Sequence, residues 1–202
     1  MLDIENISFS YKNSDGTDKS VIENLSLKLP KTGIYAIMGA SGCGKTTLLE
    51  IISGLLIPRS GKIMLKTNDI SFAFQDARLL PHKTAAENVN FVLGGNKKTI
   101  GKAIEALSEL GLKEAAEKYP DELSGGMQKR VSLARAFVRG ADIILLDEPF
   151  NGLDSEIKST IIGKIKEIGK HSLVLLITHD LGDAEECADK ILDFNELNKK
   201  GR

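Results

Sequence analysis

Apolar and polar residues alternate from the first positions of the chain. Leu2, Ile4, Ile7 and Phe9 carry the pattern, with one irregularity, and predict a half-exposed strand over 2–10. Polar residues fill 13–19 around Asp15-Gly16, a turn signal, and alternation then resumes toward Leu25, Leu27 and Leu29. Residues 2–29 are therefore expected to form an antiparallel pair. Pro30 and Gly33 punctuate the entry to an apolar strand over Ile34–Met38. An apolar, turn-free segment, Thr47–Ile52, predicts a helix, and Ile63–Leu65 and Ile70–Phe74 predict two more short strands.

From Thr84 the pattern turns helical. Ile104, Leu107 and Leu110 share one face of a helix that Gly111 would stop, and Ser124 opens another running to about Arg139, with Gly140 behind it. Ile143–Leu146 and Leu173–Ile177 are continuous apolar runs without alternation, the mark of strands covered on both faces. Between them Asp154 or Ser155 can cap a helix whose Ile157, Ile161, Ile165 and Ile168 recur at helical spacing. Strand–helix–strand implies a parallel sheet. The expected architecture is α/β: a mainly parallel sheet, a short antiparallel β region and a helical insertion. One domain is expected over 1–202, with 1–83 and 141–202 forming the core and 84–140 the helical part.

Bulk properties narrow the class without naming it. With 42% hydrophobic and 27% charged residues, the 202-residue chain is ordinary for a globular protein with one good core. Lys plus Arg (27) balances Asp plus Glu (28), so no broad attraction to nucleic acid is expected. The N-terminus shows no basic-then-apolar secretory pattern, and no apolar run approaches the ~20 residues of a membrane span. Cys43 and Cys187 make no metal-like spacing and are expected to be reduced thiols.

Chemistry concentrates where strands end. Gly39-Ala40-Ser41-Gly42-Cys43-Gly44-Lys45-Thr46-Thr47 fits G-x-x-x-x-G-K-[ST] between a strand and a helix, the context a phosphate-binding loop needs. Its glycines let backbone N–H groups turn inward around phosphate oxygens, and the following helix adds its positive end. Lys45 is the expected charge on the β- and γ-phosphates, Thr46 a hydroxyl ligand to Mg²⁺, and Thr47 an α-phosphate contact. Asp147, closing the 143–146 strand, suits the Mg²⁺ carboxylate, and Glu148 beside it can orient and deprotonate a water. His179 follows the 173–177 strand, where a neutral imidazole can bridge phosphate and water. Gln75, after the Ile70–Phe74 strand, offers an amide to Mg²⁺ or to its water. In isolation each has a plain alternative: a glycine-rich turn, a solvated Asp-Glu loop, a surface histidine. Three strand ends delivering such groups to one edge of a sheet make the joint reading stronger than any one motif.

Ser124-Gly125-Gly126 is another anion-binding helix start, unless it is only a cap that needs small residues. It lies in the helical insertion, where its own phosphate loop is not an obvious target. A second anion site without a partner in its own chain invites a partner chain.

With these motifs in this order, the chain resembles the nucleotide-binding subunits of ABC transporters along essentially its whole length. The set is the Gly39–Thr47 loop, Gln75, Leu123-Ser124-Gly125-Gly126-Met127-Gln128, the Ile143–Asp147 strand with Glu148, Asn151-Gly152-Leu153-Asp154 and His179. The resemblance implies a head-to-tail dimer with two ATP molecules, each held between the phosphate loop of one subunit and Ser124–Gly126 of the other, where Asp154 also belongs. It implies Tyr11, with Phe9 second, as the aromatic on adenine, Glu148 as catalytic base and His179 as γ-phosphate contact. It implies a transmembrane permease whose coupling helix enters near Gln75 and the helical insertion, a possible solute-binding protein, and a cytoplasmic position on the inner face of the membrane.

Departures from the common pattern are local. Met127 replaces the usual glutamine, the Asn151–Asp154 loop differs from its commonest form, and Gly61–Phe74 leaves an unusually short antiparallel part. The chain ends at Arg202, so no C-terminal regulatory domain is expected. Leu79-Leu80-Pro81, Thr84 and Glu87-Asn88-Val89 resemble importers of nitrate, sulfonates and related solutes, which favours import over export. Two other classes compete. A soluble ATPase of this type acting on DNA or ribosomes would bring a long coiled-coil insertion or a second ATPase unit, and neither is present. A purely regulatory nucleotide-binding module would not need both Lys45 and Glu148.

Overall fold

The computed structural model describes residues 1–198. The expectation about the end of the chain at Arg202 falls outside them. Two sheets form. In the first, strand β1 (Leu2–Lys12) lies between β2 (Asp18–Leu29) and β4 (Ser60–Leu65), antiparallel to both. The irregularity foreseen between Ile4 and Ile7 is a register shift, and Asn6 there has φ of 48°.

The second sheet is parallel, in the order β5-β6-β7-β3-β8. Its strands are β3 (Gly33–Met38), β5 (Ile70–Ala73), β6 (Ile143–Asp147), β7 (Leu173–Ile177) and β8 (Lys190–Asp193). The Ile70–Ala73 strand pairs with β6 and so belongs to the parallel sheet, not to the antiparallel part. The antiparallel contribution of 61–74 is therefore smaller still and stops at Leu65.

The continuous apolar runs are explained by burial on both faces. Ile143, Leu145, Leu173, Leu175 and Ile177 point into a core shared with the antiparallel sheet and with helix α1 (Lys45–Ile52). Ile144, Leu146, Val174 and Leu176 point into a second core under the remaining helices. Those are α2 (Ala85–Phe91), α3 (Ile100–Glu109), α4 (Gly125–Phe137), α5 (Ser155–Gly169) and α6 (Leu181–Cys187), with a short α7 (Phe194–Leu197) after β8. At roughly 25 cal/mol per Å² of apolar surface, a sheet covered twice is the main source of stability here.

The helix punctuation reads as the sequence suggests, with small shifts. Thr84 and Glu87 form a reciprocal capping box on α2. Asp154, rather than Ser155, caps α5 by accepting from the Ile157 N–H at 3.0 Å. Helix α1 begins at Lys45, two residues before the predicted start, and α4 ends at Phe137 rather than Arg139. Helix α6 and strand β8 were not predicted. Each is short, and neither carries enough apolar periodicity to stand out.

The functional consequence is positional. Strands β5, β6, β7 and β3 end at the same edge, where Gln75, Asp147-Glu148, His179 and the 39–44 loop emerge side by side. Helices α2 to α4 lie between β5 and β6 in the chain.

Candidate functional site

The 39–44 loop turns from β3 into α1 through Gly44, which has φ of 116° and stands as the N-cap. A Cβ there would lie 2.6 Å from a Val21 methyl, so only glycine fits. Lys45 is the first helical residue and is 8% exposed despite its charge. Its ammonium donates to the Gly39 and Ala40 carbonyls at 2.8 and 2.9 Å, folding back along the loop. Those neutral carbonyls are partners that phosphate oxygens can replace with stronger, charge-assisted bonds.

Beside it, the Thr46 hydroxyl donates to Asp147 Oδ2 at 2.8 Å. Asp147 is 2% exposed at the end of β6. Burial pushes its carboxyl above the usual carboxylate range, although the Thr46 bond and the Lys129, Lys45 and Arg78 charges pull the other way. A hydroxyl and a carboxylate oxygen in contact, in a spot that disfavours bare negative charge, form a donor set that fits a hard divalent cation.

Glu148 follows with φ of 49°, a sparsely populated conformation for a residue with a Cβ. Its N–H donates to the Ile177 carbonyl at 3.0 Å, which ties the turn after β6 to the end of β7. The Glu148 carboxylate stands 2.9 Å from His179 Nδ1. For that to be a hydrogen bond, Nδ1 carries the proton, leaving Nε2 of a neutral ring as an acceptor. The histidine side chain is 70% exposed and the glutamate 14%, so the pair reaches from a sheltered carboxylate to open solvent.

Tyr11, near the end of β1, donates or accepts through its hydroxyl at 3.2 Å from Thr47 Oγ1. Its ring meets Phe9 edge-on at 4.9 Å and keeps 40% of the residue exposed. Most of these groups line one cavity of about 630 Å³, within the ~300–1,000 Å³ typical of small-molecule sites. Tyr11, Gly39, Ser41, Gly42, Gly44, Lys45, Thr46, Thr47, Gln75, Asp147, Glu148 and His179 all border it.

The remaining predicted residues stand elsewhere. Ala40 and Cys43 belong to the loop but are not among the lining residues, and Cys43 packs against the apolar core behind it. Ser124, Gly125, Gly126 and Asp154 do not line the cavity either. The Ser124 hydroxyl caps α4, accepting from the Met127 N–H at 3.3 Å. A Cβ on Gly126 would sit 3.3 Å from the Gly152 carbonyl, so this helix start and the 151–154 loop abut within one chain.

Asn151, named above only as part of the 151–154 motif, also borders the cavity; sequence reasoning missed Lys19, which borders it too, and above all Lys129. This lysine is 6% exposed on α4, and its ammonium donates to the carbonyls of Phe74, Gln75 and Asp147. Burial depresses its pKa, although the nearby Asp147, Glu148 and Asp76 charges work to raise it. Lys129 and Asp147 thus each shift toward neutrality, because in this dry spot desolvation outweighs the attraction between them. Lys129 shares one face of α4 with the buried Ser132 and Ala136, but that face shows as buried only in the structure.

The family model described as "ABC transporter" matches residues 22–151. The chain is 38% identical over 196 residues to the aliphatic sulfonates import ATP-binding protein SsuB 3 of Pseudomonas syringae pv. tomato, covering 93% of this chain and 72% of that protein. It is 42% identical over 176 residues to the aliphatic sulfonates import ATP-binding protein SsuB 3 of Paraburkholderia xenovorans, covering 85% and 70%. Among solved structures it is similar to a dimeric, post-hydrolysis ATP-binding cassette bound to ADP and Pi. The TM-score is 0.89 at 30% identity, over 96% of this chain and 94% of that one.

Proposed function

The chain belongs to the ABC transporter family as an ATP-binding and ATP-hydrolysing motor subunit, and from that premise we propose how its residues divide the work. The backbone of Gly39–Thr47 takes the phosphates. Lys45 releases the Gly39 and Ala40 carbonyls and turns to the β- and γ-phosphate oxygens. Thr46, Asp147 and the Gln75 amide would hold Mg²⁺, which when bound neutralises charge on the β- and γ-phosphates. The Tyr11 ring, exposed and fixed by its hydroxyl to Thr47, offers its face to adenine.

Glu148 takes the proton from the attacking water. His179 holds the Glu148 carboxylate through Nδ1–H, and its other nitrogen is available on the γ-phosphate side. In the Nδ1–H tautomer that nitrogen accepts, so a direct donor contact to phosphate requires the imidazolium form. The second wall of each site is Ser124–Gly126, with Asp154, of the partner subunit in a head-to-tail pair. The observation that carries this reading is a division within one chain. Lys45, Thr46–Asp147 and Glu148–His179 converge on one cavity, and Ser124–Gly126 stays outside it.

No helix among the described residues is long and apolar enough to cross a membrane, so we place the subunit against the inner face of a membrane through a permease. The similarity to aliphatic-sulfonate import proteins supports import, with a solute-binding protein and the permease, rather than this subunit, choosing the solute. The test mixes Ser124→Arg with Lys45→Ala subunits. Neither alone should occlude nucleotide, whereas the mixture should form an ATP-dependent heterodimer with one intact composite site. If cross-linking captures no such heterodimer, the sandwich is refuted. Purification from membranes should in addition bring down a polytopic permease, and its absence would remove the transport role.

A further inference from the structure

Lys129 has no part in the phosphate, metal or water contacts proposed above, yet it is the most buried cation at this edge of the sheet. Its ammonium has three N–H donors and three acceptors: the carbonyls of Phe74 at 3.2 Å, Gln75 at 3.0 Å and Asp147 at 3.0 Å. The first two follow directly on strand β5 and begin the segment that carries the Gln75 side chain. The third ends β6, on the residue whose carboxylate meets Thr46. The lysine itself stands five residues beyond Ser124, the cap of α4. One side chain therefore joins the helix that begins at Ser124–Gly126 to two strand ends that deliver Gln75 and Asp147.

The chemistry of the join matters. A neutral amide in this place has two donors, one too few, and an apolar side chain has none. An ammonium satisfies all three carbonyls and strengthens each bond by its charge. The Asp147 carbonyl belongs to a residue paired within the sheet, and the Phe74 and Gln75 carbonyls follow directly on the paired residue Ala73. α4 also packs on β5, and Arg135 ties its later turns to the Ala77 and Arg78 carbonyls, but among the described hydrogen bonds of α4 side chains it is the lysine that reaches the end of β6 as well as the end of β5.

We propose that Lys129 is a positioning residue that links the Gln75 and Asp147 strand ends to the helix opened by Ser124–Gly126, so that nucleotide contacts at Gln75 and Asp147 bias the orientation of that turn. This rests on the roles assigned above to Gln75, Asp147 and Ser124–Gly126. Lys129 touches no substrate atom. Its loss should therefore leave nucleotide capture by the 39–47 loop in place and impair the closed, turning-over state.

The experiment compares Lys129→Met and Lys129→Gln with the parent full-length chain, using fluorescent mant-ATP binding, ATP turnover and ATP-dependent dimerisation in a Glu148→Gln background. Lys129→Met should bind mant-ATP within about threefold of the parent, lose at least about tenfold in kcat, and lose the ATP-dependent dimer; Lys129→Gln, with two donors restored, should fall between the two. Parental kcat in Lys129→Met, with only a lower Tm, would reduce the residue to a structural one and overturn the proposal. Mant-ATP binding that falls in step with kcat would overturn it too, because the nucleotide face would then have been damaged directly. Equal defects in the Met and Gln variants would overturn the carbonyl-pairing argument. If Lys129→Met does not fold, Lys129→Gln decides alone: reduced kcat with unchanged mant-ATP affinity supports the proposal, and parental kcat rejects it. Failure of the underlying site reading is separately visible, since the Glu148→Gln chain with Lys129 intact would then hydrolyse ATP normally.

Discussion

Replacing Glu148 by Gln removes one capacity and little else. The amide is close to isosteric, and its oxygen can still accept the His179 Nδ1–H bond that now spans 2.9 Å. Backbone strain at φ 49° is the same for either side chain, and the Glu148 N–H keeps its bond to Ile177. Stability should therefore hardly change. Nucleotide affinity should also hold, because Lys45, Thr46 and Tyr11 take no support from the Glu148 carboxylate. What disappears is the proton acceptor. A positioned general base contributes ~10²–10⁴ in rate, about 3–5.5 kcal/mol of barrier at ~1.36 kcal/mol per decade. Phosphate release under single-turnover conditions should fall by that factor, mant-ATP titration should stay near the parent curve, and gel filtration with Mg-ATP should show an accumulated dimer. A kcat within about threefold of the parent would refute Glu148 as the base, because the amide cannot take a proton and the other carboxylate at the end of β6, Asp147, is engaged by Thr46.

Four further expectations can be checked on the isolated chain. Gly61→Ala should destabilise the fold by about 3 kcal/mol without altering ATP affinity, because its φ is 84° and a Cβ would lie 2.4 Å from the Asn6 carbonyl oxygen; an unchanged melting curve would show that the β1–β4 crossing is not as tight as drawn. Cys187 has its thiol pushed up to about 12 by burial, so iodoacetamide at pH 8 should modify Cys43 alone in the folded protein. Labelling of Cys187 at a similar rate to Cys43 would contradict its burial. Lys158→Met strands the Asp183 carboxylate, 8% exposed, whose two oxygens take the lysine ammonium at 2.8 and 3.1 Å; a loss of about 1–3 kcal/mol is expected in thermal melts. The Asp183 hydrogen bond raises the Lys158 pKa above its ordinary value, so this contribution is complete below the unfolded lysine pKa of ~10.4 and is lost as pH rises through the folded one. The gap in Tm between parent and variant should be flat through neutral pH and close in strong alkali, and a gap that grew there would reverse the sign of the argument.

How much of this was legible in the sequence depended on how directly a residue's neighbours in the chain determine its surroundings. Ile143–Leu146 and Leu173–Ile177 announced doubly covered strands because every position is apolar, and the sheet does bury both faces. Gly44 and Lys45 were legible because a motif of fixed spacing describes one continuous turn. Lys190–Asp193 was not, since an edge strand paired on one side needs only a few apolar residues and takes its identity from β3. Residues 70–73 were recognised as a strand, but their sheet is chosen by β6, more than 60 positions away. Lys129 was missed for a related reason. A lysine on a helix is read as solvated, and only the distant Phe74, Gln75 and Asp147 carbonyls reveal that it is not.

On the proposed division of the site, the separation of the two helix starts calls for a dimer. Gly44–Lys45 opens α1 into the cavity, whereas Ser124–Gly126 opens α4 beside the 151–154 loop and outside that cavity. One chain cannot close one start over the other without tearing α4 from β5 and β6, where Lys129 and the packed core hold it. A twofold pair solves the problem without internal rearrangement, because each chain then lends its second start to its neighbour's first, and the pair closes on itself. Nucleotide that contacts both starts binds the dimer more tightly than the monomer, so by linkage it favours association in proportion to that difference. Loss of the γ-phosphate removes the group that both starts would share. If the proposed roles hold, hydrolysis acts at Glu148 and His179 but is felt at Ser124, and the stiffness of the path between them decides how much of the chemical step reaches the dimer interface.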